Sequence, residues 1–98
     1  MHVRDLTGLA LDWAVCKCEG EQPSRRTRYS TDWSVGGPII EHEGIALWQD
    51  EETLGWFASA DEGRGNDYLG PTPLIAAMRC YVASKLGDEV EVPSGLEP

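Results

Sequence analysis

The segment from Thr72 to Gly87 limits what this chain can fold into more than any other. Thr72 is a good helix cap, Pro73 suits the first helical position because its missing N–H is not needed there, and Gly87 follows the last turn. Between them Leu74, Ile75, Met78, Tyr81, Val82 and Leu86 make a broad apolar stripe. Ala76, Cys80 and Ala83 make a second stripe of small residues, which another backbone can approach closely. A second helix is predicted from Thr7 to Gly20, with Thr7 as its cap and Gly20 ending it in the left-handed conformation. Leu9, Trp13 and Cys16 share one face, Ala10, Leu11, Ala14, Val15 and Cys18 cover most of the rest, and only Asp12 and Glu19 mark a wet strip.

Ile45 to Gln49 and Leu54 to Ala60 read as two strands joined through Asp50, Glu51 and Glu52, and Glu89 to Val92 reads as a short edge strand stopped by Pro93. Asp61 to Asp67 is a polar loop. Residues 21 to 37 lack apolar periodicity, carry Pro23, Gly36 and Gly37, and read as a long connection. Pro38 to Glu43 fits either a short helix or an extended piece, closed by Gly44. The expected fold is therefore α+β, with two helices packed on a small, mainly antiparallel sheet in one domain over residues 1–98. A chain of 98 residues has a thin core. Two helices with so little wet surface offer more apolar area than one small sheet covers, which predicts self-association into a closed homo-oligomer.

Seventeen Asp and Glu against eight Lys and Arg give a formal charge of −9. Phosphate backbones repel such a surface, so general nucleic-acid binding is not expected. The acidity serves solubility, or else lets a small protein imitate nucleic acid on a DNA-binding partner. Three cysteines do not make a disulfide framework, and Cys16 and Cys18 lie on different faces of a helix. No stretch reads as a membrane span or a secretory signal, and a reducing cytoplasm fits best.

Catalysis needs a nucleophile, a base or a metal in workable geometry. His42 is the only internal histidine, with His2 near an end expected to fray. The sequence has no nucleophile elbow, phosphate loop, zinc-protease helix or paired C-x-x-C. Cys80 with His42 can be drawn as a nucleophile pair, but a thiol on a core helix is ordinarily inert. Glu41 and Glu43 can be drawn as an acid pair, but a solvated face is the ordinary explanation. The reading is that of a protein without enzymatic activity, cofactor or metal.

Binding features are more specific. Arg25, Arg26 and Arg28 form the one basic window and are followed by Tyr29, Asp32 and Trp33. Guanidinium groups beside aromatic faces suit a nucleotide, with arginine on phosphate and a ring on the base; a solvated loop that offsets local acid is the alternative. Gly36-Gly37-Pro38 leaves backbone bare for a ligand or a neighbouring chain. Gly70-Pro71-Thr72-Pro73 leads into a helix whose first amides can hold an anion, or is simply a turn and a cap. Arg79 is odd on an apolar helix; an internal salt bridge explains it first and ligand contact second.

Five stretches carry a likeness. They are Asp5-Leu6-Thr7-Gly8, Leu11-Asp12-Trp13-Ala14-Val15, Tyr29-Ser30-Thr31-Asp32-Trp33, Gly36-Gly37-Pro38-Ile39-Ile40-Glu41 and Gly70 through Arg79. Together they resemble the NinX family of small proteins from lambda-like phages and prophages, along nearly the whole chain, with residues 47–67 the most divergent. The resemblance implies an accessory phage protein acting inside the infected bacterium, and supplies no activity or catalytic residue. The expectation is a counter-defence protein that sequesters a small, anionic, nucleotide-derived ligand. Arg25, Arg28, Tyr29, Asp32, Trp33, Gly36, Gly37, Thr72 and Arg79 are its candidate residues. The alternative is an acidic module that docks on a host protein through Asp50 to Glu52 and Asp61 to Asp67.

Overall fold

The computed structural model describes residues 1–21, 27–60, 67–93, 95 and 96. A 3₁₀ turn, Val3–Asp5, leads into α1, Gly8–Cys18; α2 is Trp33–Glu43; β1, β2 and β3 are Ala46–Gln49, Trp56–Ser59 and Tyr68–Gly70; α3 is Pro73–Leu86. The strands form one antiparallel sheet in the order β1-β2-β3. The fold is α+β, with three helices in place of the two expected.

The helix at Pro73–Leu86 is the centre of the molecule. One side of α3 lies under β2 and β3, and α1 and α2 pack against it elsewhere. Leu74, Ala76, Ala77, Met78, Tyr81 and Val82 are buried in a single core cluster with Leu11, Ala14 and Val15 of α1. This corrects the premise of excess helical surface. The chain's own sheet and helices cover both sides of α3, and α1 buries Ala10, Leu11, Asp12, Ala14, Val15 and Cys16 within the same chain. The small-residue stripe does admit a backbone, and it is that of β3: a Cβ on Gly70 would lie 2.6 Å from the Ala76 amide nitrogen.

Asp12 belongs to no wet strip. It is 3% exposed, and its Oδ1 accepts the Ser30 amide at 2.8 Å, tying the chain that precedes α2 to α1. A buried carboxylate survives only with such a donor. Thr7 occupies the cap position of α1 without a side-chain capping bond. Gly20 does take a left-handed φ of 73°. The Gly20 and Glu21 amides donate back to the Lys17 and Cys16 carbonyls, which closes α1 with a Schellman motif.

The largest departure from the sequence reading is α2. Residues 33–37 belong to a helix, not to a connection, and the undecided piece from Pro38 to Glu43 continues it. Asp32 caps it by accepting the Ser34 amide at 3.0 Å, and Gly44 at φ 64° ends it. Glycines and a proline make poor helix on propensity alone. Packing reverses the balance: a Cβ on Gly36 would meet the Tyr29 carbonyl at 2.6 Å and Leu74 Cδ1 at 2.7 Å. The bare backbone at Gly36 therefore admits the chain's own turn and α3.

The strands are shorter than expected, and β3 was not anticipated. Leu54 takes φ 61° in the turn from β1 to β2, where Asp50 accepts from the Glu52 amide and the Thr53 hydroxyl. Glu89–Val92 forms no strand; Glu89 makes an isolated bridge with His2, which is thereby held and not frayed.

Candidate functional site

A cavity of about 680 Å³ opens beside β3, between its outer edge and the 3₁₀ turn. Arg79 supplies its most distinctive wall. The helix places that side chain against the chain's N-terminal part, where Nε donates to the Leu6 carbonyl at 2.9 Å and Nη1 donates to the Leu69 carbonyl at 2.7 Å. Arg79 is 8% exposed, and no carboxylate among the described residues lies within ion-pair distance of it. The expected internal salt bridge is thus replaced by two backbone carbonyls. Desolvation holds the guanidinium below its ordinary pKa, partly offset by the charge of Asp5. A planar group with five donors retains N–H capacity beyond those two bonds.

Leu69 belongs to a strand with β2 on one side only. Its carbonyl points to Arg79, away from β2, and in an antiparallel strand its own N–H shares that outward edge. Arg4 and His2 add positive or protonatable groups to the lining, and Asp5, Asp67 and Asp88 add acids. Tyr68 contributes an aromatic wall, its hydroxyl pKa raised by burial and by the charge of Asp88. Gly70 and Gly55 keep the strand edge and the turn free of side chains there. The cavity falls within the size range of small-molecule sites.

Of the candidate residues that the structure describes, only Arg79 lines this cavity. Arg25 lies outside the described residues. Arg28 is exposed on the turn that enters α2, and Trp33, 52% exposed, is the first residue of that helix. Tyr29 is buried, which withdraws its ring from solvent; that burial, and the hydrogen bond its hydroxyl donates to Glu21 at 3.0 Å, raise its pKa. Asp32 is the cap of α2, Gly36 is a packing position and Gly37 lies inside the same helix. At the start of α3, the Thr72 hydroxyl accepts the Ile75 amide at 3.1 Å, Pro73 has no N–H, and the Ala76 amide is taken by the Thr72 carbonyl. Those amides therefore serve the helix first. Sequence reasoning missed Arg4, Tyr68 and Asp88, which only the pairing of residues 1–3 with 88–90 and the unforeseen β3 bring near Arg79.

The groups considered for chemistry are dispersed. Cys80 is 3% exposed, and burial pushes its thiol up to about 11, so the protonated, unreactive form prevails at neutral pH. His42 is exposed and hydrogen-bonded to Glu43 at 2.7 Å. Glu41 and Glu43 stand two apart on a helix and face different ways; Glu43 pairs with Lys85 at 3.1 Å, and its pKa is lowered by the His42 and Lys85 hydrogen bonds. A second cavity of about 340 Å³ between α2 and α3 is lined by Glu19, Glu43, His42 and Tyr81, with no arginine among the described residues that line it. Among the described residues no group of three or more His, Cys, Asp or Glu is placed to hold a metal ion, and no helix is long and apolar enough to cross a membrane.

Fold and cavity define a small acidic α+β domain built around one buried helix. The family model described as "Bacteriophage P22, NinX" matches residues 25–85, more than half of the chain, and the chain belongs to this family. The protein is accordingly a phage accessory protein. The match takes in α2, the sheet and nearly all of α3; the Asp5–Gly8 and Leu11–Val15 stretches lie outside it. No curated protein matches the chain.

Proposed function

We propose that this NinX-family protein binds a small, anionic, nucleotide-derived ligand in the cavity beside β3 and sequesters it without chemical change, as a counter-defence factor in the cytoplasm of the infected bacterium. One observation carries the reading: a buried guanidinium faces a cavity of about 680 Å³ while bonded only to two carbonyls among the described residues. A buried cation that the nearby Asp5 only partly compensates is costly, and an incoming anion would relieve that cost. Arg79 and the outward Leu69 N–H would take the anionic group, Arg4 would add charge at the lining, and Tyr68 would face the base. In this reading Arg79 and Tyr68 would take the roles that the sequence suggested for Arg25 and Arg28 with Tyr29 or Trp33. Closed homo-oligomers would raise the ligand capacity of each particle, although α1 and α3 do not require a partner copy.

Titration calorimetry against cyclic oligonucleotides and cyclic ADP-ribose isomers tests this. The expected result is saturable binding to at least one of them, weakened about tenfold by Arg4→Gln, a loss of roughly 1.4 kcal/mol. Absence of heat and of thermal stabilisation across the panel contradicts the reading.

A further inference from the structure

The two faces of the sheet differ in what covers them. Leu47, Ala58 and Tyr68 pair across the strands on the face toward α3, where Leu47 and Tyr68 pack on the core and Ala58 is fully buried. The next row, Trp48–Phe57–Leu69, points the other way. Polar residues are the norm on the open face of an antiparallel sheet. Here that row is apolar throughout. Trp48 and Phe57 stack with centroids 5.7 Å apart, and Trp48 and Leu69 are 41% and 42% exposed. Leu54 stands 70% exposed in the adjoining turn.

The setting of this row selects its partner. From Tyr29 to Gly63 the sequence holds no Lys or Arg, and the β1–β2 turn presents exposed Glu51 and Glu52 beside Asp50. Asp50 is committed to the turn, where its bonds from Thr53 and Glu52 lower its pKa, so among the described residues Glu51 and Glu52 are the acids of that turn whose side chains make no hydrogen bond. A second copy of this chain also carries −9, so net charge opposes the approach of two copies. Bare nucleic acid is repelled. We infer that the Trp48–Phe57–Leu69 face is a protein-docking surface for a partner with an apolar patch edged by lysine or arginine. Aromatic residues at the centre of such a face supply affinity, and the acidic rim supplies steering and selectivity.

The test uses nuclear magnetic resonance titration of the full chain with an amphipathic lysine–leucine peptide, beside an oligolysine of equal charge and a short DNA duplex. The amphipathic peptide is expected to shift the Trp48 indole and the amides of residues 46–49, 56–59 and 69. It should bind at least tenfold more tightly than oligolysine, and the duplex should not bind. Trp48→Ser should weaken the peptide about tenfold, and Glu51→Lys with Glu52→Lys should weaken it by a similar factor and flatten its salt dependence. Leu69→Ser replaces Trp48→Ser should the latter fail to fold. Equal binding of oligolysine, shifts confined to other elements, or a concentration-dependent dimer abolished by Trp48→Ser would each overturn the inference.

Discussion

Arg28 and Arg79 show two ways in which an arginine can be placed in a small acidic protein. Arg28 stands exposed on the turn before α2, in the basic window that the sequence makes conspicuous. Arg79 is buried on the central helix, where it joins the 3₁₀ turn to the edge of β3 and faces a cavity. The first arginine is surrounded by water, which screens it and lowers its worth to a ligand. The second is held in one geometry by two carbonyls in a drier setting, so little ordering remains to be done on binding. Clustering along the chain marks a charge; only the fold shows which groups share a cavity.

Substitutions can break this comparison, beginning with the largest expected effect. Gly70→Ala should destabilise the fold by about 3 kcal/mol in denaturant unfolding, because the new methyl meets the backbone of Ala76 at 2.6 Å and neither strand nor helix can yield freely. Arg79→Met should cost roughly 2–3 kcal/mol by leaving the Leu6 and Leu69 carbonyls without their donor, and should abolish ligand binding. Arg28→Met should change stability by less than about 0.5 kcal/mol in the same assay, as befits an exposed position.

The turn that carries Arg28 is sensitive to pH in a defined direction. Side-chain and backbone hydrogen bonds from Ser34 hold the Asp32 carboxyl below its ordinary value of 3.8. A depressed folded-state pKa adds stability that is present above the unfolded value and is lost as pH falls through the folded one. Melting temperature should therefore decline below pH 3.8 less steeply in Asp32→Asn than in the parent chain, an effect smaller than those above.

The sequence was most legible where local chemistry and burial agree. Thr72, Pro73 and Gly87 bound α3 as expected, and Gly20 and Gly44 end α1 and α2. It was least legible where packing overrides propensity. Gly36, Gly37 and Pro38 argue against a helix, yet the close approach of Tyr29 and Leu74 needs a residue without a side chain in a helical position. Three residues of β3 are too few to carry a periodic pattern, so the strand that supplies the cavity's edge leaves no signal in the sequence. Asp12 reads as wet from sequence because its donor, the Ser30 amide, is eighteen residues away. Arg79 stood out as a misfit on an apolar helix, and that incongruity was the sequence's one direct signal of the cavity.

The placement of the site is tested most directly by following the Arg79 Nε–H and the Trp33 indole N–H together, by nuclear magnetic resonance, as a binding cyclic oligonucleotide is added. Arg79, with the amides of Arg4 and Leu69, should shift in step with saturation while Trp33 stays fixed. Movement of Trp33 and Arg28 with Arg79 unchanged would contradict the account and return the site to the turn before α2.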